Sequence, residues 1–120
     1  MDILAIPQGP HFTCVVWFYR GPHSLLVIRV TDDTHSEQQF WLFFAGVVYF
    51  EGVLSWAGFH FRKVAQSDNP STLRLLRDNA HPAQKRHLYE VETVANGIVR
   101  IIASDLRFSR AQHVLGDFFA

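Results

Sequence analysis

The aromatic segment at residues 40–61 limits how this chain can fold more than any other feature. It holds nine of the chain's seventeen aromatic residues, and its only residues that readily carry charge are Glu51 and His60. A single sheet with one face in water would expose every second side chain of residues 40–44. The segment therefore predicts strands that are covered on both faces, by a second layer, a ligand or a partner subunit.

Length and charge narrow the class of protein. At 120 residues the chain has the usual size of one domain, and we expect a single domain over residues 1–120. Eleven basic residues balance eleven acidic ones. Without a net charge there is no long-range field to attract nucleic acid or a membrane surface, so we expect neither as a partner. The apolar run at residues 40–50 has about half the roughly 20 residues of a membrane-spanning helix.

The single cysteine and the amino terminus bear on the compartment. Cys14 is the only cysteine, so the chain can form neither an intrachain disulfide nor a thiolate zinc cluster. Its apolar neighbours predict a buried thiol with a raised pKa. Residues 1–7 lack the basic start and the long apolar stretch of a signal peptide. We therefore expect the protein in the cytoplasm.

Apolar alternation and turn residues predict the secondary structure. Asn69 and Pro70 are typical of a helix start, which favours a helix over residues 70–79, whereas a strand there would place Leu73 and Leu75 on one face. Residues 109–119 are a second helix candidate. The predicted strands are residues 11–19, 23–31, 38–45, 47–54, 57–64, 88–94 and 98–104.

These elements predict an α+β fold that is mainly β. About six to eight antiparallel strands would form a curved sheet, a two-layer β-sandwich or an open barrel, with one or two short helices against it. Gly46, Gly52 and Gly58 lie within the aromatic strands, where glycine indicates bends, bulges or close backbone approach.

The clearest local pattern is a hairpin formed by residues 88–94 and 98–104. A three-residue loop at residues 95–97, with Gly97 in the left-handed conformation, would place Glu92 opposite Arg100. In that register Tyr89, Val91, Thr93, Val99, Ile101 and Ala103 share the core face. A shift by one residue would exchange the two faces.

The sequence offers no assembled catalytic or metal site. His81 and His87 are six residues apart in and beside a proline-containing loop, a spacing that matches neither helical nor strand ligand pairs. No serine occupies a nucleophile elbow. Glu51, His60 or Asp105 could serve an enzyme, but nothing in the sequence pairs them. We expect no catalytic residue, no metal and no cofactor.

Two short motifs resemble a group of known proteins. Residues 44–47, Phe-Ala-Gly-Val, and residues 99–104, Val-Arg-Ile-Ile-Ala-Ser, resemble parts of the short β-rich bacterial proteins found among immunity proteins and mobile gene cassettes. The resemblance covers a few residues in each motif, and no functional residue is carried over from it.

The leading hypothesis is a small, non-enzymatic bacterial binding protein. It would bury an apolar aromatic sheet surface against another protein or in a homodimer. The alternative is a small-molecule carrier, in which Phe44, Tyr49, Glu51 and Trp56 line a cavity for an apolar ligand. An enzyme using Glu51, His60 or Asp105 is the third hypothesis. The site candidates for contact with a ligand or partner are Trp41, Phe43, Phe44, Tyr49, Glu51 and Trp56.

Overall fold

A computed structural model describes the chain over residues 6–20, 24–35, 39–64, 70–78 and 85–110. These residues form eight strands and one helix, which confirms the prediction of a mainly β fold. The helix α1 spans Pro70–Asp78, where a helix is predicted. The strands are β1 (Gly9–Arg20), β2 (Ser24–Asp32), β3 (Gln39–Val47), β4 (Tyr49–Glu51), β5 (Ser55–Lys63), β6 (His87–Glu92), β7 (Ile98–Ala103) and β8 (Asp105–Ser109).

The strands make one antiparallel sheet in the order β4-β7-β6-β5-β1-β2-β3-β8. The two ends of this order are continuous in the chain, because only Val48 separates β3 from β4 and only Ser104 separates β7 from β8. The Val48 N–H donates to the Ile102 carbonyl, and the Ser104 N–H donates to the Ala45 carbonyl, both at 3.0 Å. The sheet therefore curls until the β3–β4 run pairs with the β7–β8 run.

The inner face of this curled sheet encloses the main core. Phe59 stacks on Phe61 with ring centroids 5.6 Å apart, and Phe61 stacks on Tyr89 at 5.7 Å. Phe44 meets Tyr89 edge-on at 5.4 Å. Each such aromatic pair adds about 0.5–1.5 kcal/mol beyond the burial of its area. The aromatic residues of β3 and β5 thus hold opposite parts of the wall together.

Part of the outer face is covered by the helix. Val64, Leu88 and Ile102 form a small buried cluster on the outside of the sheet. Leu75 and Leu76 of α1 pack against this cluster. Their position explains why residues 70–78 form a helix rather than the alternative strand, since adjacent leucines of one helix turn can both contact a flat sheet face.

The β6–β7 hairpin forms at the predicted place but in a different register. Glu90, not Glu92, lies opposite Arg100, while Glu92 lies opposite Ile98. The predicted pairing of Glu92 with Arg100 is therefore wrong by two residues. A shift of two keeps each side chain on its face, so Val91, Tyr89 and their core-facing neighbours on β7 still point inward.

A threonine explains the wider hairpin loop. The Thr93 N–H donates to the Gly97 carbonyl at 3.0 Å, and the Thr93 hydroxyl donates to the same oxygen at 2.7 Å. That hydroxyl also accepts the Asn96 N–H at 2.8 Å. Residues 93–97 thus form a loop closed by a side chain. Gly97 has a φ of 70°, as the left-handed prediction requires.

Two further elements differ from the prediction. The strand expected over residues 47–54 is reduced to β4, and Gly52 follows it with a φ of 151°. A Cβ at Gly52 would lie 2.8 Å from Cγ2 of Val99, so the backbone passes close to β7 at this residue. No strand is predicted over β8, which places Leu106 in the core. Of the terminal helix candidate, Ser109 belongs to β8 and residues 111–119 lie outside the described ranges.

The closure of the sheet makes Gly46 hard to replace. Gly46 has a φ of 64°, and a Cβ there would lie 2.1 Å from Oγ of Ser104. We expect Gly46→Ala to lower the free energy of unfolding by about 2–4 kcal/mol, through left-handed strain and overpacking. Urea denaturation measures this change. Gly97→Ala is the control, because Gly97 has a φ of 70° with nothing within 4 Å, and should cost only about 1 kcal/mol. Equal losses of unfolding free energy in the two variants would contradict tight packing of Gly46 against Ser104.

Candidate functional site

The structure places two of the site candidates inside the core. Phe44 is fully buried and Trp56 is 4% exposed, and both belong to the cluster enclosed by the sheet. Tyr49 and Glu51 instead lie on the outside, at β4. The four residues expected to line one cavity are therefore divided between the two faces of the sheet and do not meet around a common space.

Trp41 and Phe43 face outward from β3 but are also buried. Each is 1% exposed, and they cluster with Val27 on the outside of β2 and β3. With Phe40, Leu42 and Phe44 facing inward, residues 40–44 are all buried within one chain. The two-sided covering expected for the aromatic segment is thus present without a partner, and these two side chains are not available for direct contact.

A β-bulge in β1 exposes a tryptophan above this outer cluster. Val16 lies opposite Ile28 and Phe18 lies opposite Val27, so Trp17 is an extra residue in β1. Its side chain is 49% exposed. The Trp17 ring meets the buried Trp41 edge-on with centroids 5.5 Å apart, and the Arg29 guanidinium carbon lies 4.8 Å from its centre. Trp17 is therefore an exposed aromatic side chain held between two neighbours.

Further exposed apolar side chains lie on the β4–β5 loop, on the β6–β7 loop and at the first residue of β7. The Val16 N–H donates to the Leu54 carbonyl, and the Val94 N–H donates to the Ala57 carbonyl, both at 2.8 Å. These bonds join the β1 bulge, the β4–β5 loop and the β6–β7 loop around the start of β5. We name this surface the apolar rim, and its members are Trp17 (49% exposed), Val53 (39%), Leu54 (67%), Val94 (64%) and Ile98 (39%).

A cavity of about 350 Å³ borders the apolar rim at Ile98. The amide oxygen of Gln8 accepts the Phe61 N–H at 2.9 Å, which fixes the segment before β1 beside β5. The cavity is lined by Gln8, His60, Phe61, Arg62, Glu90, Glu92 and Ile98. Its walls therefore combine carboxylate, guanidinium, imidazole and amide groups with apolar surface.

A ladder of four charges crosses the outer face beside this cavity. Arg62, Glu90, Arg100 and Glu51 lie directly opposite one another on β5, β6, β7 and β4. Glu90 accepts from Nη2 of Arg62 at 2.6 Å and from Nε of Arg100 at 2.9 Å. Nη1 of Arg100 also donates to Glu51 at 3.1 Å. Glu90 is 3% exposed, and the two guanidinium groups compensate its burial.

Glu51 is an exposed member of this ladder rather than an isolated acid. The Tyr49 hydroxyl donates a short hydrogen bond to the Glu51 carboxylate. Because this bond holds the proton on oxygen, the pKa of Tyr49 is raised above its ordinary value. Glu51 does not line an enclosed apolar cavity, since its side chain is 47% exposed and paired with Arg100.

The other residues considered for catalysis lie apart. His60 is exposed on β5 and lines the cavity, whereas Asp105 is exposed on β8 and lies 3.6 Å from Arg107. His87 is half-buried on β6, and burial, with Lys63 and Lys85 nearby, lowers its pKa. His81 falls outside the described residues. Among the residues that the structure describes, no group of three or more potential metal ligands is close enough to hold an ion.

Comparison with known proteins found no relative of this chain. Neither a protein family, nor a curated protein, nor a solved structure matches this chain. The described part of the chain contains no helix long and apolar enough to cross a membrane. The site must therefore be interpreted from its own contacts.

Sequence reasoning missed the apolar rim. Residues 15–19, Val-Val-Trp-Phe-Tyr, are five consecutive apolar residues in a predicted strand, and this run is the signal that one of them must break the alternation. Leu54 and Val94 lie next to turns, where isolated apolar residues are common. Backbone hydrogen bonds join Leu54 to β1 and Val94 to β5, and these bonds connect segments that are far apart in the sequence.

The charge ladder gives a direct stability test. Glu90→Gln would remove the buried carboxylate that accepts from both Arg62 and Arg100, and we expect it to lower the free energy of unfolding by about 1.5–3 kcal/mol. Glu51→Gln is the matched control on the same ladder. Because Glu51 is exposed, it should cost no more than about 1 kcal/mol. Urea denaturation of both variants compares them, and equal effects would contradict the central role of Glu90.

Cys14 provides a test of core burial. Its thiol is fully buried, and desolvation raises its pKa to about 12. We expect no reaction with a thiol reagent at pH 8 in the native protein, because almost no thiolate forms and the reagent cannot reach it. Addition of urea should make the reaction fast. Rapid modification under native conditions would show that the inner face of β1 opens to solvent.

Proposed function

We propose that this protein is a small, non-enzymatic binding protein, that its contact surface is the apolar rim, and that it forms a homodimer through it. One observation carries this proposal. Five large apolar side chains that should avoid water are exposed on three segments joined around the start of β5. An exposed apolar cluster on a folded chain is typical of a protein interface.

Trp17 is the expected anchor of this interface. Tryptophan and arginine are the side chains that contribute most often and most strongly to protein contacts. Trp17 is already positioned by Trp41 below it and by the Arg29 guanidinium over its ring. A side chain that is ordered before binding loses less conformational entropy on association, so this arrangement favours affinity.

A second copy is the partner that the charges favour. The chain has a formal net charge of +0 at pH 7, so two copies approach without net repulsion, and a net charge near zero promotes association. The five rim members are all apolar, and an apolar surface can meet its own copy across a two-fold axis. The neighbouring carboxylates Glu51 and Glu90 are already paired within the chain.

The cytoplasm remains our proposal for the compartment. A lone buried Cys14 offers no disulfide for an oxidising environment to form within the chain.

The carrier alternative is favoured by one observation, the cavity beside Ile98, although its lining differs from the residues expected from the sequence. Catalysis by Glu51, His60 or Asp105 is not proposed, because these three residues do not form a common site.

Truncation of Trp17 tests the homodimer. We expect Trp17→Ala to weaken self-association by at least about tenfold, because removal of an anchor side chain typically costs 1–2 kcal/mol or more. Sedimentation velocity over a range of protein concentrations measures the dissociation constant. Tyr19→Ala is the matched control, since Tyr19 is a similarly exposed aromatic residue of β1 that contacts Phe50 and lies outside the rim.

A second variant separates loss of binding from loss of folding. Leu54 is 67% exposed, so Leu54→Asp adds a charge to the rim without disturbing the core. It should also weaken the dimer, while its urea denaturation curve stays close to that of the unmodified protein. A chain that is monomeric at every concentration, or equal dissociation constants for the Trp17→Ala and Tyr19→Ala variants, would contradict the proposal.

A further inference from the structure

The cavity beside the apolar rim is lined by charged and polar groups that self-association through the rim does not require. We propose that it binds an organic ammonium ion, with the charged nitrogen against Glu92 and the carbon chain against Ile98. Its volume of about 350 Å³ lies within the range of small-molecule sites, which starts at roughly 300 Å³. This inference goes beyond the proposed function, and the two proposals share only Ile98, which belongs to the apolar rim and lines the cavity.

The charge on the cavity wall favours a cation. Both oxygens of Glu90 are occupied by Arg62 and Arg100, so that carboxylate is neutralised within the chain. Glu92 lines the same cavity and lies opposite His60 on β5 and Ile98 on β7. Within the described residues Glu92 forms no ion pair. It is therefore the carboxylate of this cavity that remains available for a positively charged ligand.

The hydrogen-bonding groups of the wall also suit an ammonium group. A primary ammonium has three N–H donors and no acceptor, so it needs acceptors on several sides. The Glu92 carboxylate is one. The Gln8 amide oxygen accepts the Phe61 N–H at 2.9 Å and retains a second lone pair, and the imidazole of His60, when neutral, offers a nitrogen. All three residues line the cavity.

The remaining wall supports an apolar body on the ligand. Ile98 is 39% exposed and lines the cavity together with Phe61 of β5. Burial of carbon atoms against such a surface favours binding, because it removes apolar area from water. An amine with a short hydrocarbon or aromatic group therefore matches both parts of the cavity better than a bare ammonium ion does.

A chemical-shift titration tests this site. Phenethylammonium chloride is added to the ¹⁵N-labelled protein, and 3-phenylpropionate, which has a similar ring and chain but a carboxylate, is the control ligand. We expect saturable shifts of the backbone amides of His60, Glu92 and Ile98 with the amine alone. In Glu92→Gln the dissociation constant should rise roughly fivefold, the upper range for an exposed ion pair. Asp78→Asn, which removes an exposed charge at the end of α1, should leave it unchanged.

The outcomes separate this site from the proposed homodimer. Absence of saturable shifts, equal binding of the carboxylate control, or unchanged affinity in Glu92→Gln would overturn the ammonium site even if the dimer forms. A monomer that binds the amine through Glu92 would overturn the homodimer and support the site. A parallel titration with an N-acetylated, lysine-containing tripeptide, whose only ammonium is the lysine side chain, distinguishes a free amine from a lysine side chain, since the tighter ligand identifies the source.

Discussion

Burial of β3 on both faces is the constraint on which the rest of the structure depends. Residues 40–44 are consecutive large apolar side chains, and every one of them is buried. Their inner members need a core that other strands must complete, and their outer members need a cover on the opposite side. The curling of the sheet supplies the first requirement. Val27 and its neighbours on β2 contribute to the second.

The junctions at Val48 and Ser104 show how the chain achieves this curl. At each junction a single residue separates two strands, and the chain changes direction there. The N–H group of that residue donates a hydrogen bond to the opposite run. Two long strands bent in this way can pair over both their halves. The same bend leaves Gly46 pressed against Ser104, which is why a left-handed glycine occurs there.

Most of the elements could be predicted because their signals are local. The Asn69-Pro70 pair and the apolar runs on either side of the turn residues 20–22 are properties of neighbouring residues, and the structure has α1 from Pro70 and strands at β1 and β2. The hairpin register depended on the Thr93 hydroxyl, which closes a wider loop than glycine alone suggests. The β8 strand depends on tertiary pairing, for which the sequence has no local signal, and the pairing with β2 decides which residue of the apolar run 15–19 forms the bulge.

The candidate site was less predictable than the fold, for a related physical reason. Large aromatic residues such as Trp41 and Phe43 are strong interface candidates by type, but the fold buries them. The exposed side chains come from loops that only the closed sheet brings together. The charge ladder was also missed, because Glu90 lies opposite Arg100 in a register that differs by two residues from the predicted one, and no pairing of β4 with β7 was predicted.

Native mass spectrometry of the freshly purified protein tests the central claim most directly, because one spectrum reports the number of subunits. We expect a dimer of the 13.8 kDa chain, with the monomer appearing as the protein is diluted. A monomer at every concentration would contradict the assignment of the apolar rim as a self-association surface.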